Sequence, residues 1–522
     1  MSKFEYRNDI AVVSTDKGKI RGYYYDDTYR FLGIPYAKAK RFMMPEEFDA
    51  WEGVRDAVDY GLVCPILSEP RPVNQLLMMH NFWPASENCH FLNVWTRELN
   101  KEAKKPVLVW FHGGGYAAGS SLEMDFYHGA NLAKKDDVVV VTVNHRLNVF
   151  GYLDLSSFGE KYHNSGNAGI ADLIASLKWV RNNIASFGGD PDNVTIFGQS
   201  GGGNKVTTLC QIPAAKGLFH KAVIISGVFS DQIFVNPVSG RELALNILKQ
   251  LSLGEEDIQK LETVSTADLI RATNAASRAL GEEGKDCNWF PIANDWFPGY
   301  PLQYGFAESC KDIPTIVGTC ISEFNLNDQR RKDTLSTDER EAIVTDFYGE
   351  GAKEVIDLFE DAYPGKNIVY SREVDTATRM STIDYVKKKA SVSNVPTYCY
   401  IFSPEFDFDG GRLAWHCADI PYFFHNCDRT PYSETCSDTE SIEKTMSSYL
   451  INFARTGNPN GEGLPKWEES TAEDVYTMVF DSECICKKNF DEKLVKAINK
   501  LIPPMPFNIP TLPDEENFNG VY

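Results

Sequence analysis

Ser200 stands in Gly198-Gln199-Ser200-Gly201-Gly202, directly after the short apolar run Val194-Thr195-Ile196-Phe197 and directly before a helix-compatible segment. A serine at a sharp strand-to-helix reversal is held clear of its own backbone, and such a hydroxyl attacks a carbonyl when a base and oxyanion donors lie beside it. Gly198 and Gly202 remove the side chains that would block the reversal. Pentapeptides of this kind also arise by chance, so the context has to decide. Upstream, His112-Gly113-Gly114-Gly115-Tyr116 follows the apolar run Val107 to Phe111. Consecutive glycines let backbone N–H groups converge on one point, as stabilising the oxyanion of a tetrahedral intermediate requires. The same loop could be an ordinary turn or cradle a phosphate, but no Lys-Ser/Thr pair follows it, which argues against a nucleotide. Both motifs sit at the C-terminal ends of expected strands, and finding the two together is far less likely by chance than finding either one.

The elements that would position them are short apolar runs separated by helix-length intervals: Val107 to Phe111, Val138 to Val143, Val194 to Phe197, Ala222 to Ile225, Thr315 to Val317 and Tyr398 to Phe402. Runs of this kind argue for an α/β fold with a mostly parallel central sheet flanked by helices. Ile170, Leu173, Ile174, Leu177, Val180, Ile184 and Phe187 recur at helical spacing and predict an amphipathic helix over 168–187, stopped at Gly188-Gly189. Residues 10–25 read as an antiparallel hairpin opening the fold, and 31–89 show little regular helix. Segments about 230–300 and 325–395 read as largely helical, cap-like insertions in one enlarged domain spanning 1–502. Residues 503–522, with five prolines by Pro513, read as an extended tail.

Lys plus Arg number 52 against 73 Asp plus Glu, a formal charge of −21, which repels nucleic acid and anionic membrane surfaces. The N-terminal residues hold no apolar stretch of signal-peptide length, and no apolar run is long enough to span a bilayer, so no membrane insertion and a cytoplasmic location are expected. The twelve cysteines are scattered and are expected to be thiols in a reducing compartment. Of the nine histidines, none of the eight other than His416 shows metal-ligand spacing. Asp407-Phe408-Asp409-Gly410-Gly411 lacks the later acidic ligand of a calcium loop and reads as a turn. No cofactor or metal is expected.

Taken together the motifs resemble those of the type-B carboxylesterase and cholinesterase family of α/β-hydrolases, in particular its bacterial para-nitrobenzyl-esterase-like carboxylesterases. The resemblance covers most of the chain. It is carried by Phe31-Leu32-Gly33-Ile34-Pro35-Tyr36-Ala37, by Glu87-Asn88-Cys89-His90-Phe91-Leu92-Asn93-Val94-Trp95, by the glycine loop and by Asn144-His145-Arg146-Leu147. It continues through Gly166-Asn167-Ala168-Gly169, Phe187-Gly188-Gly189-Asp190-Pro191-Asp192-Asn193 into the serine turn, and Phe453-Ala454-Arg455-Thr456-Gly457-Asn458-Pro459-Asn460.

The resemblance implies hydrolysis of small-molecule esters through a Ser-His-Glu triad. Glu323 in Ser322-Glu323-Phe324 would be the acid, although the family usually has Asp-Glu-Gly there. His416, followed by Asp419-Ile420-Pro421-Tyr422, would be the base. Gly114 and Gly115 would hold the oxyanion by resemblance, and Gly201 because it follows the nucleophile. Ser226 matches a supporting serine of the family, or is a strand-end serine satisfied by backbone. Cys64 and Cys89 match positions bridged in secreted relatives and are expected here as thiols. Gln199 stands where many relatives carry Glu, which removes one negative charge beside the reacting carbonyl and points to neutral esters. Two rivals remain at this point: a non-catalytic binding module of the same fold, which retention of Ser200, Glu323 and His416 disfavours, and an acyltransferase using the same triad.

Overall fold

The computed structural model describes residues 3–67, 77, 79–228, 237–324, 334–407 and 410–503. The expected extended tail beyond Pro503, the starts of both cap-like segments at 229–236 and 325–333, and Phe408 and Asp409 of the acidic turn lie outside the described residues.

Twelve strands form one sheet. In chain order they are β1 (Phe4–Glu5), β2 (Tyr23–Tyr25), β3 (Thr28–Pro35), β4 (Phe91–Thr96), β5 (Lys105–Phe111), β6 (Val139–Val143), β7 (Gly189–Gln199), β8 (Lys221–Ile225), β9 (Thr315–Cys320), β10 (Thr397–Phe402), β11 (Tyr476–Phe480) and β12 (Ile485–Lys488). They lie in the order β1-β2-β3-β4-β6-β5-β7-β8-β9-β10-β11-β12. From β6 to β11 every pairing is parallel, and the strands flanking that block pair antiparallel. The molecule is therefore the expected α/β-hydrolase architecture. The opening hairpin is present as Val12–Ser14 against Lys19–Arg21, but Tyr23–Tyr25 leaves it for the main sheet.

The parallel strands are apolar throughout because both of their faces are covered. Along β5 the alternation of side chains feeds two cores. Val107, Val109 and Phe111 pack with Ile170, Leu173 and Val206, on the side of the helices Ala168–Asn183 and Gly201–Gln211. Leu108 and Trp110 pack with Phe424, Leu450 and Phe453, on the side of the helix Thr439–Thr456. Trp110, Phe197 and Phe424 meet there with ring centroids 4.9–5.2 Å apart. The helix read over 168–187 is α-helical to Asn183 and tightens to 3-10 geometry over Ile184–Phe187 before Gly188 at φ 81°. Within it Asp172 takes the Arg146 guanidinium at 2.7 Å and His90 at 3.1 Å, so two of the motifs in 87–147 are tied to the helix that precedes the serine strand. Burial opposes ionisation of Asp172, yet Arg146 and His90 hold its carboxyl well below the usual carboxylate range.

Helices Gly240–Gln250, Thr266–Glu282, Thr337–Tyr348, Ala352–Ala362 and Ala377–Val392 fill the segments expected to be helical insertions. Among the described residues no helix is long and apolar enough to cross a membrane.

The register brings the motifs together. Phe111 lies opposite Gly198, Gln199 opposite Ile225, and Ile225 opposite Gly318. The loops leaving β5, β7, β8 and β9 therefore open side by side at the C-terminal edge of the sheet, where ligands of open parallel sheets are held.

Candidate active site

Ser200 has φ 58° and ψ −126°, at the junction of β7 with the helix Gly201–Gln211. A serine in this conformation is strained by roughly 1–3 kcal/mol, and the surrounding packing has to impose it. Its N–H donates to the Ile225 carbonyl at 2.8 Å, and its carbonyl accepts from Asn204 N–H at 2.9 Å. A Cβ at Gly198 would stand 2.5 Å from the Gly202 carbonyl, one at Gly202 would stand 2.0 Å from the Phe111 carbonyl, and one at Gly203 would stand 2.8 Å from Gly227. The turn is too tight for any residue but glycine at these points.

The glycine loop closes over the same turn. Gly114 and Gly115 are left-handed at φ 79° and 61°. A Cβ at Gly201 would meet the Gly115 carbonyl at 2.2 Å, and one at Gly113 would lie 3.5 Å from Ser200 Cβ. Backbone donors of Gly114, Gly115 and Gly201 thus belong to segments packed against Ser200 and against the start of a helix, where the dipole favours negative charge. Lys205 anchors the loop from beneath. Its Nζ donates to the His112 carbonyl at 2.9 Å and stands 5.5 Å over the Tyr116 ring. Burial pushes its pKa down to about 7. His112 stacks on His145 with centroids 5.0 Å apart, and burial, with Lys205 and His145 beside it, holds its pKa well below the ordinary histidine value.

His416 reaches this edge from the far side of the chain. Its N–H donates to the Glu323 carbonyl at 2.8 Å, and Trp415 and Glu323 form an isolated bridge that carries the histidine to the end of β9. His416 Nδ1 is hydrogen-bonded to Glu323 Oε2. Glu323 Oε1 accepts from Ser226 Oγ at 2.7 Å and from Cys320 N–H at 2.8 Å. The Ser226 hydroxyl thus has a side-chain partner and is not satisfied by backbone. Phe324, the residue that departs from the family's glycine, lies against the His416 ring at a centroid distance of 4.0 Å. Ser200, Ser226, Glu323 and Cys417 all have positive φ, between 37° and 78°, a concentration of backbone strain at one place.

One expected contact differs. Among the described residues Ser200 Oγ makes no hydrogen bond to His416; instead the side-chain nitrogen of Gln199 stands 3.1 Å from His416 Nε2 and 3.3 Å from Nδ1. Gln199 is completely buried, and its Oε1 accepts from the Cys417 thiol at 3.2 Å. The sequence pointed to Gln199 through its charge, not through this contact.

Two further carboxylates lie behind Glu323. Asp375 and Asp419 are buried, and burial, reinforced by the charge of Glu323, pushes each pKa up to about 7. Asp419 Oδ2 accepts from Tyr400 OH at 2.7 Å, so Glu323 and not Asp419 is the carboxylate on His416 Nδ1. The Asp419 shift has a consequence for stability. Its folded-state value lies above the ordinary 3.8, so between about pH 4 and pH 7 the folded chain keeps a proton that the unfolded chain has lost. That contribution is fully present below pH 4 and disappears as pH rises through 7. Asp419→Asn still offers Tyr400 an acceptor but cannot titrate. The parent's melting temperature is expected to fall more between about pH 5 and pH 8 than the variant's, by the equivalent of roughly 2–4 kcal/mol. Parallel curves for the two proteins would contradict it.

Lys205, Phe324, Cys417 and Asp375 were not among the sequence candidates. Lys205 carried a signal: it is the only charged residue in 201–211, within a helix that is buried along its whole length.

A family model described as the carboxylesterase family matches residues 9–497. The chain is 34% identical over 489 residues to the para-nitrobenzyl esterase of Bacillus subtilis (strain 168), covering 90% of this chain and 95% of that protein. It is 32% identical to Carboxylesterase 3B of Mus musculus, covering 88% and 84%. Among solved structures, an esterase from anaerobic Clostridium hathewayi that can hydrolyse aliphatic aromatic polyesters superposes with a TM-score of 0.93 at 44% identity, covering 96% of this chain and 100% of that one. A PNB esterase superposes with a TM-score of 0.72 at 31% identity, covering 93% and 99%.

Proposed function

Because this chain belongs to the carboxylesterase family and is a carboxylic ester hydrolase, we propose that Ser200, His416 and Glu323 are its triad and that neutral small-molecule esters are its substrates. The observation that carries this reading is the hydrogen-bonded His416–Glu323 pair delivered to the same sheet edge as the strained Ser200 turn and the glycine loop. Ser200 Oγ attacks the ester carbonyl as His416 Nε2 takes its proton, and Glu323 keeps the Nδ1 tautomer and offsets the imidazolium charge. N–H groups of Gly114, Gly115 and Gly201 receive the oxyanion. His416 then protonates the leaving alkoxide, and water, deprotonated by the same nitrogen, releases the acid. For the first step the Gln199 amide has to yield Nε2 to the serine, in keeping with catalytic hydrogen bonds that tighten only around substrate. The scattered spacing of the twelve cysteines supports a reducing compartment, and the cytoplasm is the location we favour.

Substrate charge follows from Gln199. A carboxylate at this position would be worth roughly 2–4 kcal/mol to a cation 4–8 Å away at an effective dielectric near 20, before desolvation. Without it, a choline ester is expected to be hydrolysed more slowly than a neutral ester of the same acyl group, and Gln199→Glu is expected to narrow the gap. Measuring kcat/KM over p-nitrophenyl esters of graded acyl length, a choline ester and an aliphatic aromatic polyester tests this. Parent enzyme that prefers the choline ester by about tenfold overturns the neutral-substrate reading. Soluble products from the polymer would extend the neutral class to solid esters, as for the Clostridium hathewayi esterase.

A further inference from the structure

His416 Nδ1 is committed to the Glu323 carboxylate, so with that carboxylate ionised Nδ1 carries the ring proton and Nε2 is an acceptor. The side-chain nitrogen of Gln199 lies 3.1 Å from Nε2 and 3.3 Å from Nδ1, so the amide turns its positive N–H end toward the ring, which suits the neutral imidazole. A primary amide is nearly the same shape when turned by 180°. Reversed, its oxygen would face Nε2, a poor match for the neutral ring and a good one for the imidazolium. What distinguishes the two orientations lies on the other side of the amide, where the Cys417 thiol donates to Gln199 Oε1 at 3.2 Å. Burial, together with the negative charge of Asp419, raises the thiol's pKa well above its usual value, so the sulfur keeps the proton it donates. Cys417 also occupies φ 78°, a conformation that glycine adopts without strain. A side chain is therefore carried at a backbone position that does not favour one, and its polar atom is used on Gln199.

We propose that Cys417 is a positioning residue: its thiol fixes the Gln199 amide with the nitrogen toward the His416 ring, an orientation that opposes the imidazolium more than the reversed amide would. The proposal rests on His416 being the triad base. The other ionisable groups around the pair include Glu323, with Asp375 and Asp419 behind it, Cys320 and Tyr400 beside Asp419, Glu123, whose charge acts on Cys417, and the buried Tyr127 and Tyr432, which also face Cys417. A substitution at Cys417 leaves all of them in place.

The test is the pH profile of kcat/KM for a neutral p-nitrophenyl ester in the full-length chain. Cys417→Gly, which relieves the backbone, is expected to move the acid limb up by about 0.5–1 pH unit, the size one neutral hydrogen bond can impose. Well below the limb the rate is then expected to fall about threefold to tenfold, with the alkaline plateau and KM little changed. Cys417→Ser keeps a donor and is expected to bring the limb back toward the parent's position. In a Gln199→Met background Cys417→Gly is expected to add no further shift, since the amide through which it acts is gone. An unmoved limb in Cys417→Gly, a limb in Cys417→Ser as displaced as in Cys417→Gly, or a shift that persists without Gln199 would each overturn the proposal. Ser200→Ala, assayed in parallel, separates this from the triad itself: full activity there removes the triad, whereas an inactive Ser200→Ala with an unmoved limb removes only the role of Cys417.

Discussion

Ser200→Ala is expected to lower kcat for ester hydrolysis by a factor on the order of 10⁶ while leaving the fold in place. The hydroxyl does the chemistry and little of the packing. Both backbone bonds that hold the turn, from Ser200 N–H to Ile225 and from Asn204 N–H to Ser200, are made by groups that alanine keeps. Alanine at φ 58° is no more strained than serine, because the strain comes from the Cβ that both carry. The melting temperature should therefore move little. A covalent serine reagent should add one label to the parent, on Ser200, and none to the variant. Activity within about tenfold of the parent, or a label on another residue, would remove Ser200 as nucleophile.

Glu323→Gln is expected to reduce kcat by about 10⁴ with near-normal folding, for a reason of tautomers rather than of charge alone. Ser226 Oγ and Cys320 N–H both donate to Glu323 Oε1 and will hold the carbonyl oxygen of the glutamine there. Its amide nitrogen is then forced onto His416 Nδ1, which has to become an acceptor. The ring proton moves to Nε2, the nitrogen that should take the proton of Ser200. Removing the negative charge also relieves Asp375 and Asp419, so the variant should be at least as stable as the parent above pH 7. If activity survives Glu323→Gln but collapses in Asp419→Asn, the acid has been assigned to the wrong carboxylate.

The residues that had to be glycine were legible in the sequence, and so was the chemistry they frame. Gly198, Gly202 and the 113–115 loop are demanded locally, by turns that bring backbone to within a Cβ's reach of backbone, and such demands are written into the residues that make them. The interior strands were legible for a related reason: a strand covered on both faces has to be apolar throughout, whatever covers it. The strands β3, β4, β11 and β12, which flank the middle of the sheet, did not stand out in the same way. β12 is half-exposed, and β3 pairs with β4 across an irregularity in register, so their side chains follow neither simple pattern.

What surrounds the histidine was decided only by the tertiary structure. Gln199 and Cys417 are 218 residues apart, His416 and Glu323 are 93 apart, and the cation under the glycine loop meets a carbonyl 93 positions away. The direction of the Gln199 amide, the face of His416 that Phe324 covers and the raised pKa of the two carboxylates behind Glu323 depend on distances and burial. No residue carries those quantities in its own identity. The sequence by itself specified which groups could react; the parallel register of β5, β7, β8 and β9, which brings their C-terminal ends to one edge of the sheet, decided which of them meet.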